Sequence, residues 1–140
     1  MLDEMLEYHS YACFLRSGDR TMGGTKVMGK HDSYTLINTP DIYIPAGGSG
    51  YTFAAAGTYL VICTWNLEVD QNCTFSTDFK VNGTSVFETI GIHCEDGHDP
   101  KDQTAQVLLE FKRGDILTIE TTMDTGSGTM KQGSSIVIMK

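Results

Sequence analysis

The sequence predicts an all-β domain, a sandwich or barrel of about eight to ten antiparallel strands. Three observations carry that expectation. Gly57 to Val69 (GTYLVICTWNLEV) alternates along its whole length: Tyr59, Val61, Cys63, Trp65, Leu67 and Val69 fall on one side, Leu60, Ile62, Thr64, Asn66 and Glu68 on the other. A period of two in β-branched and aromatic residues is a strand signature. At about 3.3 Å per residue such a strand runs roughly 40 Å and crosses most of a domain. Second, Asn82-Gly83 separates two further runs, and that pair suits the positive φ angles of a tight hairpin turn. Third, the only helical spacing is Leu2, Met5 and Leu6, in a segment too short to stand alone as a helix.

The totals set the frame. A chain of 140 residues, 40% hydrophobic and 20% charged, holds one domain with a real core. We place an N-terminal arm at residues 1–8 and a single domain at 9–140. A net charge of −8 argues against nucleic acid, whose phosphates it would repel. The acidic start Met1-Leu2-Asp3-Glu4 is followed by no apolar run of leader length, and no run is long enough to span a bilayer. Neither an export signal nor membrane insertion is expected. The four cysteines, Cys13, Cys63, Cys73 and Cys94, contain no CxxC pair. Free thiols are expected without export, and the pairing of the four stays open.

In chain order, His9 to Leu15 reads as the first strand and Arg16 to Gly24 as a loop. Lys26 to Met28 and Ser33 to Ile37 read as short strands, ended by Asn38-Thr39-Pro40. Asp41 to Ile44 is extended and stops at Pro45 and a Gly-rich stretch. Tyr51 to Phe53 leads through three alanines into the long strand. Cys73 to Val81 alternates, with Phe75, Thr77, Phe79 and Val81 on one side, and Thr84 to Ile92 completes its hairpin. His93 to Asp102 reads as a polar, acidic loop. Gln103 to Phe111 is a strand with Val107, Leu109 and Phe111 aligned. Lys112 to Asp115 is a tight turn, and Ile116 to Thr122 returns. Asp124 to Gly133 reads as a Gly/Ser/Thr loop before a closing strand at Ser134 to Met139.

Three segments, Tyr51-Thr-Phe-Ala-Ala-Ala-Gly-Thr-Tyr-Leu-Val, Asp78-Phe-Lys-Val-Asn-Gly-Thr-Ser-Val and Val107-Leu-Leu-Glu-Phe-Lys-Arg-Gly-Asp-Ile-Leu, followed by the last strand Ser134-Ser-Ile-Val-Ile, stand in that order. Together they resemble the globular heads of complement q-subunit proteins. The likeness covers residues 51–140 well and the first fifty poorly. It implies a tumour necrosis factor-like jelly roll that assembles as a homotrimer, binds receptors, surfaces or other assemblies, and is not an enzyme. A collagen-like stalk ahead of the domain is not expected. Similar jelly rolls occur in viral and phage particles, made in the host cytoplasm without a leader.

Candidate sites follow. Leu60 and Ile62 are apolar on the side of the long strand away from the core. With Leu108 and Val137, on faces opposite their better-aligned neighbours, they are the candidates for a trimer interface, each contributing roughly 1.5–3 kcal/mol if buried. Glu95, Asp96, Asp99 and Asp102 offer hard oxygen ligands suited to calcium, without the spacing of a helix–loop–helix site; a solvated loop is the simpler reading. His93, Cys94 and His98 lack the paired spacing of a zinc site. The histidines at 9, 31, 93 and 98 form no His-x-His pair, and no Gly-x-Ser-x-Gly elbow occurs, so no catalytic residue is assigned. Arg113-Gly114-Asp115 spells an integrin-type tripeptide that the turn itself explains. Asn72 and Asn82 sit in formal glycosylation acceptors, and Trp65 reads as core.

The resulting expectation is a non-enzymatic, homotrimeric structural or adhesive protein of a virus or phage particle, a capsid decoration or fibre-tip knob located in the virion. Its partners would be its own copies and capsid or tail proteins, or a host surface receptor, with no cofactor. The alternatives are a secreted complement- or cytokine-like ligand and a carbohydrate-binding module.

Overall fold

The computed structural model describes residues 11–16, 20–28, 33–38, 40–43, 50–69, 73–89, 92–94 and 97–140. Every regular element among them is a strand: β1 Tyr11–Arg16, β2 Arg20–Met28, β3 Ser33–Asn38, β4 Ile42–Tyr43, β5 Tyr51–Phe53, β6 Gly57–Val69, β7 Cys73–Val81, β8 Thr84–Glu88, β9 Ile92–Cys94, β10 Gly97–Phe111, β11 Ile116–Met130 and β12 Ser135–Met139. These twelve described strands exceed the expected eight to ten because short pieces such as β4, β5 and β9 pair as separate elements. The arm at 1–8 lies outside the described residues.

All pairings are antiparallel and sort into two layers. One layer runs β3–β1–β12–β6–β10. The other centres on β11, with β7 on one edge and β2 and β5 on the other; β8 and β9 lie on the far edge of β7, and β4 beyond β5. β11 belongs to both layers. Its first half pairs β7, and Gly128 to Met130 pair Val69 to Leu67 of β6. The register shift between Met123 and Gly128 marks the crossing. The crossing needs glycine at 128, where a Cβ would stand 2.6 Å from the Glu68 carbonyl oxygen.

The alternation read from β6 is reproduced residue by residue. Tyr59, Val61, Cys63, Trp65, Leu67 and Val69 are buried, and the residues between them are half-buried. Phe75, Thr77 and Phe79 of β7 and Leu117, Ile119, Thr121 and Met123 of β11 close the core from the other layer. At the start of β6, Phe53 and Phe111 stack at 3.8 Å between ring centroids, and Tyr59 meets both edge-on. The Tyr59 hydroxyl donates to the Ala55 carbonyl at 2.8 Å, so this large ring is buried without an orphaned polar atom. Asn82 and Gly83 both take positive φ, as the hairpin reading requires.

Three expected loops are strands. Arg20 to Gly24 belongs to β2, held by pairing with β11 and by buried Met22. Gly97 to Asp102 extends β10, although the register shifts between Gly97 and Lys101. Asp124 to Met130 continues β11. In each case pairing with a long neighbour overrides a Gly-rich or polar composition.

One polar contact joins the layers through the core. Trp65 of β6 is 2% exposed, and its indole Nε1 donates to Thr77 Oγ1 of β7 at 2.9 Å. Removing the acceptor strands a buried N–H. Thr77→Val should cost about 1–3 kcal/mol, read as a lower urea midpoint, while Thr77→Ser, which keeps the hydroxyl, should cost less. Equal stability of Thr77→Val and wild type would show that the bond contributes nothing.

Candidate functional site

The outward face of the β6 layer carries the chemistry the sequence singled out. Because β6 is paired on both edges, its outward residues meet fixed neighbours. Leu60 stands opposite Leu108 of β10 and Met139 of β12; Ile62 stands opposite Gln106 and Val137; Val137 in turn stands opposite Cys13 of β1. The four predicted interface residues thus fall on one face of three adjacent strands, in two successive rows. Leu108 is 65% exposed and Met139 39%, while Leu60, Ile62 and Val137 are already half-buried within the single chain. The sequence reading missed Met139, although the alternation of Ser135, Val137 and Met139 in β12 places it on this face.

Charge is distributed unevenly. The rows from Leu108 to Thr104 hold Leu108, Leu60, Met139 and Tyr11, then Gln106, Ile62, Val137 and Cys13, then Thr104, Thr64, Ser135 and Leu15. None of these residues is charged, and acidic groups appear beyond them, at Glu110 on one side and at Asp102 and Glu68 on the other. The outward face of the other layer is the opposite. Glu120, Asp78 and Glu88 occupy directly opposed positions on β11, β7 and β8. Like charges so placed repel, and Lys80 offsets them through contacts of 2.9 Å to Glu120 and 4.0 Å to Asp78. Its ammonium is held above the usual lysine range, mainly by the bond to Glu120.

The remaining candidates separate. Of the calcium set, Glu95 and Asp96 lie outside the described residues, Asp99 and Asp102 sit in β10, and Asp102 is exposed opposite Asn66. Among the described residues no group of His, Cys, Asp and Glu is arranged to hold a metal ion. His9 and His31 lie outside them, and His93 stands opposite Thr74. Cys63 is a buried free thiol, held protonated by desolvation, and serves as a small apolar residue. No helix of the described residues is long and apolar enough to cross a membrane. One feature had no sequence signal: the β8 edge exposes Val86 and Phe87, and Phe87 meets Phe79 at 6.1 Å.

No family model matches the chain, and no curated protein matches it. Solved structures do. Eiger TNF from S. frugiperda is similar over 94% of this chain and 92% of its own, with a TM-score of 0.65 at 16% identity. Murine APRIL at pH 5.0 is similar over 94% of this chain and 98% of its own, with a TM-score of 0.65 at 13% identity. At such identities the likeness is one of fold: the chain is a tumour necrosis factor-like jelly-roll sandwich.

The Arg113-Gly114-Asp115 turn is occupied by its own structure. One Asp115 carboxylate oxygen accepts from the Lys112 backbone N–H at 2.7 Å, the other from Asn82 Nδ2 at 2.9 Å, and Asn82 Oδ1 accepts from the Ile116 N–H at 3.0 Å. Both the tripeptide carboxylate and the formal glycosylation amide are therefore engaged in joining two turns. These bonds, the Lys112 one first, hold the Asp115 carboxyl below the usual carboxylate range. A lowered folded value stabilises the protein above the unfolded pKa of about 3.9, and that contribution is lost as pH falls through the folded value. Asp115→Asn should therefore narrow the stability difference between pH 7 and pH 3 measured by urea unfolding; an unchanged difference would mean the carboxylate bonds carry no linkage.

Proposed function

We propose that this chain is a non-enzymatic docking protein that works as a homotrimer, its copies joined through the face centred on Leu60, Ile62, Leu108 and Val137. The observation that supports this reading is the coincidence of exposed apolar side chains and absent charge on one sheet face. A chain of net charge −8 repels its own copies. It self-associates at least cost across the surface where those charges are missing. From strand spacing and rise, the apolar rows span about 200 Å², against roughly 800 Å² per partner in a stable interface. They are therefore the dry centre, and the Thr and Gln rows around them form the rim.

A trimer of this kind acts by multivalency. Three weak loop contacts on one rigid body become one strong attachment, because the second and third form intramolecularly. In this reading the protein is a structural or adhesive component of a virus or phage particle, a capsid decoration or fibre tip docked on capsid or tail proteins or on a host receptor. The fold likeness to Eiger TNF and APRIL favours a second reading, a secreted cytokine-like ligand. Capsid, portal or tail genes beside its gene would support the first; a leader or stalk encoded ahead of the domain would support the second.

Light scattering coupled to size exclusion should give three times the 15.4 kDa chain mass at micromolar concentration. Leu108→Glu, placed where the side chain already meets solvent, should reduce the mass to a single chain while leaving the circular dichroism spectrum intact. A wild-type monomer, or a Leu108→Glu variant that keeps the larger mass, overturns the assembly.

A further inference from the structure

We propose that Asn82 is a self-modification site: its amide is lost to attack by the Gly83 nitrogen, converting the residue to aspartate and isoaspartate, and the Asp115 carboxylate is the latch that sets the rate. Asn82-Gly83 is the only Asn-Gly pair in the chain. The reaction needs a carboxamide followed by a backbone nitrogen within its reach. Glycine shields that nitrogen least, having no Cβ, and at Gly83 even an added Cβ would meet nothing within 4 Å. Both residues are exposed, so water is at hand for the second step.

The folded geometry holds the reaction off. Asn82 Nδ2 donates to Asp115 at 2.9 Å and Asn82 Oδ1 accepts from the Ile116 N–H at 3.0 Å, so both ends of the carboxamide are spent on groups 33 and 34 residues further along the chain. The Asn82 backbone N–H also donates to the Ile116 carbonyl, at 2.9 Å. Three bonds thus tie residue 82 to the start of β11. The latch is itself anchored, because the other Asp115 oxygen accepts from the Lys112 N–H at 2.7 Å. It cannot follow the amide if the side chain swings. Intramolecular attack demands that the reacting atoms be close and aligned. Here the carboxamide is aligned on the neighbouring turn and away from its own successor.

The chemistry needs only water. The Gly83 nitrogen forms a bond to Asn82 Cγ, the Cγ–Nδ2 bond breaks, and ammonia leaves with the Gly83 proton. Water then opens the ring: attack at the side-chain carbonyl gives aspartate, attack at the main-chain carbonyl gives isoaspartate. One water is consumed, one ammonia is released, and nothing is oxidised or reduced. Either product places a carboxylate where the amide stood, facing that of Asp115, and like charges so close repel. Isoaspartate also adds a carbon to the backbone of the turn, although Val81 beside it is held in register with both Thr84 and Leu117. The modification therefore unfastens the β7–β8 hairpin from the β10–β11 turn. The proposal is independent of the assembly above, since its groups lie at the turns of one chain and none belongs to the β6 face.

The test ages the full chain in mildly alkaline buffer and follows residue 82 by peptide mapping, with enzymatic methylation of isoaspartate as a second readout. In guanidinium chloride, where the latch is open, conversion should be fastest. The folded wild type should convert on the order of 100-fold more slowly, the cost of an attacking group held about 1 Å out of place. Folded Asp115→Ala should convert several-fold faster than folded wild type. Thr77→Val, which weakens the core and leaves the latch intact, separates an open latch from a loosened fold and should keep the wild-type rate. Equal rates in folded and denatured wild type, or an Asp115→Ala rate no higher than that of Thr77→Val, would overturn the proposal.

Discussion

β6 is hydrogen-bonded along both edges and buried along its inward face, and the other strands take their positions from it. Its apolar side chains supply most of one wall of the core, but apolar contact is non-directional and does not by itself set one layer over the other. The bond from Trp65 to Thr77 does. A single N–H in a dry interior is satisfied only where its partner sits, so the indole fixes β6 against β7 to within hydrogen-bond tolerance.

Much of this was legible in the sequence, and the parts that were not share a cause. Gly57–Val69 and Cys73–Val81 match their strands end for end, because alternation is a local record of one buried and one open face. The Asn82-Gly83 turn was legible because its backbone angles select its residues. The segments at 20–24, 97–102 and 124–130 carry no such record. They are strands because β11 and β6 offer them unpaired edges, which is information held elsewhere in the chain. Gly128 illustrates the point: read locally it breaks a strand, yet in place it lets β11 approach the Glu68 backbone. The four interface candidates were legible as exceptions to alternation. That Met139 joins them needed the β12–β6 register.

The two outward faces divide labour by charge. The β7 layer presents carboxylates at opposed positions and needs Lys80 to tolerate them. The β6 layer keeps its middle rows neutral and places acids only at their ends. A protein of this net charge has few surfaces on which it can meet its own kind, and the middle rows of this face are free of ionised groups. Trimeric docking, the reading adopted for its function, uses that asymmetry directly: one face turns inward and the charged face stays in water.

Most two-layer sandwiches hold together by the grease between the layers, and in principle one layer can peel from the other. Here β11 begins hydrogen-bonded in one layer and ends hydrogen-bonded in the other. Peeling would tear a continuous backbone ladder as well as open the core. The domain is thereby made a single cooperative unit in which neither layer survives the loss of its companion. Such a body passes a pull on its loops to the whole fold at once, a property suited to the adhesive role proposed above.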